Sequence, residues 1–490
     1  MCKGTIFCCF LVTFARFDIK TLSMNYLNKI LPAVFVAIVI ILIACRKEDT
    51  IDSSAGLKLS FSTDTVFFDT IFPTIGSVTH RLIVYNPNDN KVAVSQIELA
   101  GGNISSYRIN VDGLPGIAFS DTEIPGHDSI FIFVKVTIDP QNTSLPFVVK
   151  DSIRFLTNGS NQYVRLVAWG REAIFHKNGI ISGNTVWDST RAHVIYGSVR
   201  VDTGSMLTIT EGTRVYFHYG SYMAVSPNGT LKVNGTISHP VTFCGDRLDP
   251  FYRDLTGQWN GIFLESGSNG NIIENTRIKN GTYGIVADQS KQPGQTMLTL
   301  QNVAIENMTG NGIYAMGSSI AAVNCMIADC GRGCLDIVYG GQYDFRHLTV
   351  ANYWYTTVRK SPSVSLSNYS YDTTGQKIFN PLTKAYFGNA ILFGSNDEEL
   401  GLDSVAGTEF SYYFDHSLLR TEGSVTGPHF ENCLKNQDPV FVDIQKMDYR
   451  IDSISPAIDR GKEMGVPFDL LGIPRSNPPD LGAYEYQKKK

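Results

Sequence analysis

The sequence is short of charge. Asp, Glu, Lys and Arg make up 18% of its 490 residues and leave a formal net charge of −5. That removes the polybasic surface needed to hold nucleic acid or an anionic membrane by electrostatics. It is equally short of helical signal: beyond the N-terminus almost no stretch keeps the apolar spacing of an amphipathic helix. Nine cysteines are present, yet none forms a Cys-x-x-Cys pair. No glycine-rich stretch precedes a helix, which excludes a phosphate-binding loop. The aspartates lack the repeated nonapeptide spacing of calcium-binding β-rolls, so no cofactor is called for and Ca²⁺ is not indicated. The apolar run Leu31 to Ala44 also falls short of the roughly 20 residues that span a bilayer.

What the chain does have is glycine (44), tyrosine (23) and phenylalanine (28), dispersed among short apolar runs. This mixture predicts many short strands joined by turns, an all-β protein. The length exceeds one ordinary core and requires several domains or one elongated repeat.

The N-terminus reads as an address. Lys29 precedes the apolar run, and Cys45-Arg46-Lys47-Glu48-Asp49 follows it directly, the layout of a signal peptide. Leu42-Ile43-Ala44-Cys45 resembles a bacterial lipobox, in which the Cys45 thiol receives the lipid. The resemblance implies a lipoprotein anchored to the outer membrane, with 1–45 as the signal segment, Met24 as the working start and 46–56 as a linker. The charged residues after Cys45 resemble the signal that places some lipoproteins on the outer surface. The other cysteines downstream, Cys244, Cys325, Cys330, Cys334 and Cys433, are odd in number and read as buried thiols.

Residues 57–172 alternate apolar and polar in runs broken by turns, such as Arg81 to Tyr85 before Asn86-Pro87-Asn88-Asp89. This predicts a β-sandwich. The opening phrase Thr65-Val66-Phe67-Phe68-Asp69-Thr70 and the closing Val164 to Gly170 resemble immunoglobulin-like domains of bacterial surface proteins, which implies a spacer or binding module.

From 173 to 430 the line repeats itself. Anchors Asn275, Asn302, Asn324 and His347 lie 27, 22 and 23 residues apart. Two places before them stand Ile273, Leu300, Ala322 and Phe345. Three places after them stand Ile278, Ile305, Ile327 and Val350. Five places after come Asn280, Asn307, Asp329 and Asn352, and glycines recur further on at Gly284, Gly312 and Gly333. Coincident apolar and Asn columns at this period predict the coils of a right-handed parallel β-helix. Residues 361–385 read as an irregular excursion.

The tail, 431–490, carries Ser455-Pro456-Ala457-Ile458-Asp459 and Asp480-Leu481-Gly482-Ala483-Tyr484-Glu485. These phrases are similar to the end of many exported β-helix proteins that share the fold of pectate lyases. Physically the tail reads as a cap over the open end of the core.

On the first aligned strand the outward columns hold no pair of acids, as hydrolysis of a glycosidic bond requires. On the second, Asp288, Tyr314, Asp336 and Tyr339, then Trp354, Tyr355, Arg359 and Lys360, place acids, bases and aromatics within four coils. Asp336 and Arg359 are the candidate catalytic residues; Asp288, Tyr314, Asp336, Tyr339, Trp354 and Arg359 are the candidate ligand contacts. The preferred expectation is a non-catalytic envelope lipoprotein whose β-helix binds a polysaccharide or a cell-surface partner. The alternatives are a polysaccharide lyase or hydrolase and a purely structural envelope protein.

Overall fold

The computed structural model describes residues 50–71, 77, 79–137, 147–170, 173–248, 252–290 and 294–488. The segment 1–45 expected to be a signal, with Met24 and Cys45, lies outside the described residues. Two compact units are present, and each is taken by itself.

The smaller unit draws its strands from two five-stranded sheets formed between Ser60 and Gly170. Period-two alternation decides which side chains enter its core. Along Ser129–Val136, Ile130, Ile132, Val134 and Val136 are buried while Phe131 and Phe133 point outward. Along Val92–Leu99 a register shift between Val94 and Gln96 keeps Val92, Val94, Ile97 and Leu99 inside.

The larger unit is a coil of parallel strands with almost no helix, and each turn visits three faces. On face A, 198–201 pairs with Tyr222–Val225, then Gly261–Leu264, Ile285–Ala287 and the start of Ile313–Cys330. It continues through 335–337, Val364–Ser367 and Leu400–Asp403. On face B, Met206–Thr210 pairs with Thr230–Asn234, and the later turns stack Ile273, Leu300, Ala322, Phe345 and Phe387 in one inward column. On face C, Arg214–Phe217 pairs with Val241–Gly245, and Ile278, Ile305, Ile327, Val350 and Leu392 stack likewise. Aromatic rings extend the face B column, with Phe345, Phe387, Phe414 and Phe430 successively 5.0, 4.8 and 5.4 Å apart between centroids.

The anchors mark the corner between faces B and C. Asn275, Asn302, Asn324, His347, Asn389, His416 and Asn432 all have φ between 44 and 55°, a left-handed conformation that asparagine tolerates. Their side chains form a ladder: Asn302 Nδ2 donates to Asn275 Oδ1 at 3.0 Å and Asn324 Nδ2 to Asn302 Oδ1 at 3.2 Å. At the corner between faces C and A, Asn280, Asn307 and Asp329 also have positive φ. Asn352 does not; its Oδ1 instead accepts the Cys330 N–H at 3.1 Å. Gly312 sits where coils approach closely, for a Cβ there would lie 2.6 Å from the Cys334 carbonyl oxygen and against Ile327.

Three expectations need correction. Residues 364–367 of the presumed excursion form a regular face A strand, and only 369–379 leave the coil as a hairpin. The parallel sheet runs on past 430, through Leu434–Lys435. The tail does not plug the open end of the core. It lies along face C, where Tyr449 and Ala483 bury the outward side chains Met326, Ala328 and Ala351. Polar anchors hold it on successive turns: Asn324 Nδ2 donates to the Phe468 oxygen at 2.6 Å, the Ala483 N–H to Thr349 Oγ1 at 2.8 Å, and the Lys462 N–H to Asn389 Oδ1 at 2.8 Å. The physical reason is the small, apolar outward column of face C, which gains from being removed from water.

Four of the five expected buried thiols are where the sequence places them: Cys244, Cys325, Cys330 and Cys334 are buried and form no disulfide, while Cys433 is only half-buried. Burial pushes the Cys325 thiol up to about 12.

Candidate functional site

The outward side chains of face A line a groove. Val199, Met223, Ile262, Ile285 and Ile313 point into the core, so alternation turns their neighbours outward. The pairing register then stacks Ala224, Phe263, Val286, Tyr314, Asp336 and Ser365 in one outward column. Over this column lies a groove of about 470 Å³ whose lining includes Arg200, Tyr222, Phe263, Glu265, Asp288 and Tyr314.

Its charges are arranged by short hydrogen bonds. Arg200 Nη1 contacts Glu265 Oε1 at 2.5 Å and Ser226 Oγ at 3.3 Å. The hydrogen bond to Glu265 holds the guanidinium above its ordinary pKa. Asp288 stands one turn from Glu265: Leu264 pairs with Ala287, and the Asp288 N–H donates to the Leu264 oxygen at 3.0 Å. Asp288 Oδ1 accepts the Gln289 N–H at 2.7 Å. The rings meet edge to face, with Tyr222 and Phe263 centroids 5.6 Å apart at 83°. Tyr314 has its hydroxyl pKa raised, chiefly by burial and then by Asp336, with Tyr283 and Asp288 adding to it and Arg332 opposing.

Of the residues singled out from sequence, the structure brings Asp288, Tyr314 and Asp336 together on this face. Asp336 stands in the same outward column but outside the groove lining. Its Oδ2 accepts from Asn311 Nδ2 at 2.6 Å, and a Cβ on Gly333 would lie 2.8 Å from its Cγ. Burial raises its carboxyl to about 6, against the opposing hydrogen bonds of Asn311 and Ser365. Tyr339 occupies the turn from face A to face B with φ of 59°, where its carbonyl accepts from Asn380 Nδ2.

Trp354 and Arg359 do not face outward beside Asp336, which corrects the expected cluster. Trp354 is buried and donates its Nε1–H to Thr357 Oγ1 at 2.9 Å. Arg359 makes a fork with Glu399, at 2.7 Å to Oε2 and 2.5 Å to Oε1, with the two side chains 1% and 0% exposed. Ser363 adds its N–H and hydroxyl to Glu399. This is a buried interior ion pair, out of reach of a ligand. Tyr355 and Lys360 are exposed. Among the described residues, no group of three or more His, Cys, Asp or Glu gathers into a metal-binding set.

Sequence reasoning missed Arg200, Tyr222, Phe263 and Glu265. The signal was the pairing of Gly261–Leu264 with Ile285–Ala287, which puts Phe263 in the same column as Tyr314. Residues 246–260 separate that strand from Val241–Gly245, and this long connection interrupts the repeat on which the anchor alignment depends.

No curated protein matches the chain. Among solved structures, pectate lyase Pel9A is 13% identical over 64% of this chain and 88% of its own, with a TM-score of 0.29. The catalytic domain of a GH87 α-1,3-glucanase in complex with tetrasaccharides is 9% identical over 72% of this chain and 91% of its own, with a TM-score of 0.15. A family 123 glycoside hydrolase from Clostridium perfringens is 10% identical over 26% of this chain, with a TM-score of 0.18, and the match spans only 30% of that enzyme's chain. Residues 179–291, which carry Arg200, Tyr222, Phe263, Glu265 and Asp288, match the family model of the pectate-lyase-like β-helix domain.

Proposed function

We propose that this protein is an envelope lipoprotein whose β-helix binds a glycan in the face A groove. The observation that carries the reading is the groove itself: Tyr222, Phe263 and Tyr314 give it aromatic surface, and Arg200, Glu265 and Asp288 give it fixed polar groups. Apolar surface with a few placed polar groups is the usual make-up of a small-molecule or saccharide site. Sugar rings stack on aromatic faces while their hydroxyls reach acceptors such as Asp288. Binding to a panel of neutral and acidic polysaccharides tests this. Phe263→Ala and Tyr314→Ala are each expected to weaken binding about tenfold, roughly 1.4 kcal/mol. Unchanged affinity in both variants would sink the reading.

Anchoring through Cys45 rests on the lipobox-like Leu42 to Cys45. Cells fed labelled palmitate are expected to label the protein and not its Cys45→Ala variant; equal labelling of both would remove the anchor.

A second reading, hydrolysis, draws on Glu265 and Asp288, which follow directly paired residues on adjacent turns. Turns about 4.8 Å apart bring two carboxylates near the separation of about 5–9.5 Å that glycosidases use. New reducing ends that vanish in Asp288→Asn would favour it over binding alone.

A further inference from the structure

The charge balance of the face A groove narrows its ligand further, an inference that rests on the glycan-binding reading. The lining includes one cation, Arg200, and two carboxylates, Glu265 and Asp288. Arg200 is already committed to Glu265 and Ser226. Among the described residues, Asp288 therefore stands as the lining carboxylate without an ion-pair partner. At the far end Arg332 lowers the pKa of both Asp336 and Tyr314.

A uronate entering this groove would set its carboxylate beside Asp288, and among the described lining residues no uncommitted cation would receive it. Like charges brought together in a partly desolvated groove discriminate strongly against the wrong ligand. A neutral sugar meets no such barrier, since its hydroxyls donate to the Asp288 carboxylate. Direction also follows from the column. Phe263, Val286 and Tyr314 belong to successive turns, about 4.8 Å apart, a step close to the length of one sugar residue. Phe263 and Tyr314 thus address alternate residues of a chain laid across the strands, parallel to the coil axis.

We infer that the groove is a site for uncharged sugar polymers and that Asp288 excludes polyuronates from it. The test uses the full chain in affinity electrophoresis against matched pairs: hydroxyethyl cellulose with carboxymethyl cellulose, and methyl-esterified with de-esterified homogalacturonan. For every backbone retained, the neutral member is expected to bind at least tenfold more tightly, with the gap widening at low salt. Asp288→Asn keeps the side-chain oxygen that accepts the Gln289 N–H, and should bring the ratio toward one by raising the affinity for the acidic member, a gain that mere damage to the site would not produce. Tighter binding of the acidic member, equal binding of both, or a ratio indifferent to Asp288→Asn overturns the inference and leaves the glycan reading standing. Retention of no polymer overturns the glycan reading itself.

Discussion

His347 occupies a ladder position where its neighbours are asparagines, and that makes it a proton-linked weak point. Its Nδ1–H faces the Gly482 oxygen at 3.3 Å, and its Nε2 accepts from Asn389 Nδ2 at 3.0 Å. Both contacts suit a neutral ring. Burial, with Arg475 nearby, lowers its pKa from 6.5 to about 3. Between those values the unfolded chain binds the proton and the folded chain does not. Stability from this group is therefore greatest above pH 6.5 and declines as pH falls toward 3, by up to about 1.4 kcal/mol per pH unit. Asp329 and Asp480, both raised to about 6 by burial, act in the opposite sense: they take up protons in the folded state first and favour it as pH falls below 6. His347→Asn restores the ladder residue and removes the histidine's contribution. Urea titrations between pH 4 and 7 should show a flatter slope for the variant; parallel curves would refute it. Arg359 gives a second expectation. Because its partner Glu399 is fully buried, Arg359→Ala strands a carboxylate and should cost about 3–5 kcal/mol, read from the denaturation midpoint.

At the scale of the element, the turn of the coil is the unit that the sequence spells most clearly. Alternation names the inward residues, and asparagine names the left-handed corners, so the all-β coil and the stacking of Ile278, Ile305, Ile327 and Val350 were legible in advance. The close-approach glycines belong to the same grammar. Gly312→Ala should overpack the coil against Cys334 and Ile327, costing about 1–3 kcal/mol, with an unchanged urea m-value if the fold survives. The site was only partly legible. Asp288 and Tyr314 lie in regular turns and were found. Phe263 and Glu265 follow a long connection that hides the register, and Arg359 could not be placed because its partner lies 40 residues away. Outward position on a strand is a local property; what covers that strand is not.

At the scale of the molecule, the tail shows this best. It is anchored to Asp329 through the Tyr449 hydroxyl at 2.5 Å, and to Thr349 and Asn389 through backbone bonds. Ending the chain after Asn436 should expose Met326, Ala328, Ala351 and Phe393, all now buried. Increased binding of a hydrophobic dye and a lower thermal midpoint are expected; a truncated chain as stable and dye-silent as the parent would show that the tail contributes nothing to the coil. Repeat coils elsewhere lengthen or shorten as turns are duplicated or lost, because each turn needs only its neighbours. Here the tail measures the coil. Phe468 meets Asn324, Ala483 meets Thr349, and Lys462 meets Asn389. A duplicated turn between any two of these marks would pull the tail out of step with the others. The coil of this protein is thus held at one length, and its evolution by copying turns is closed off along the stretch the tail spans.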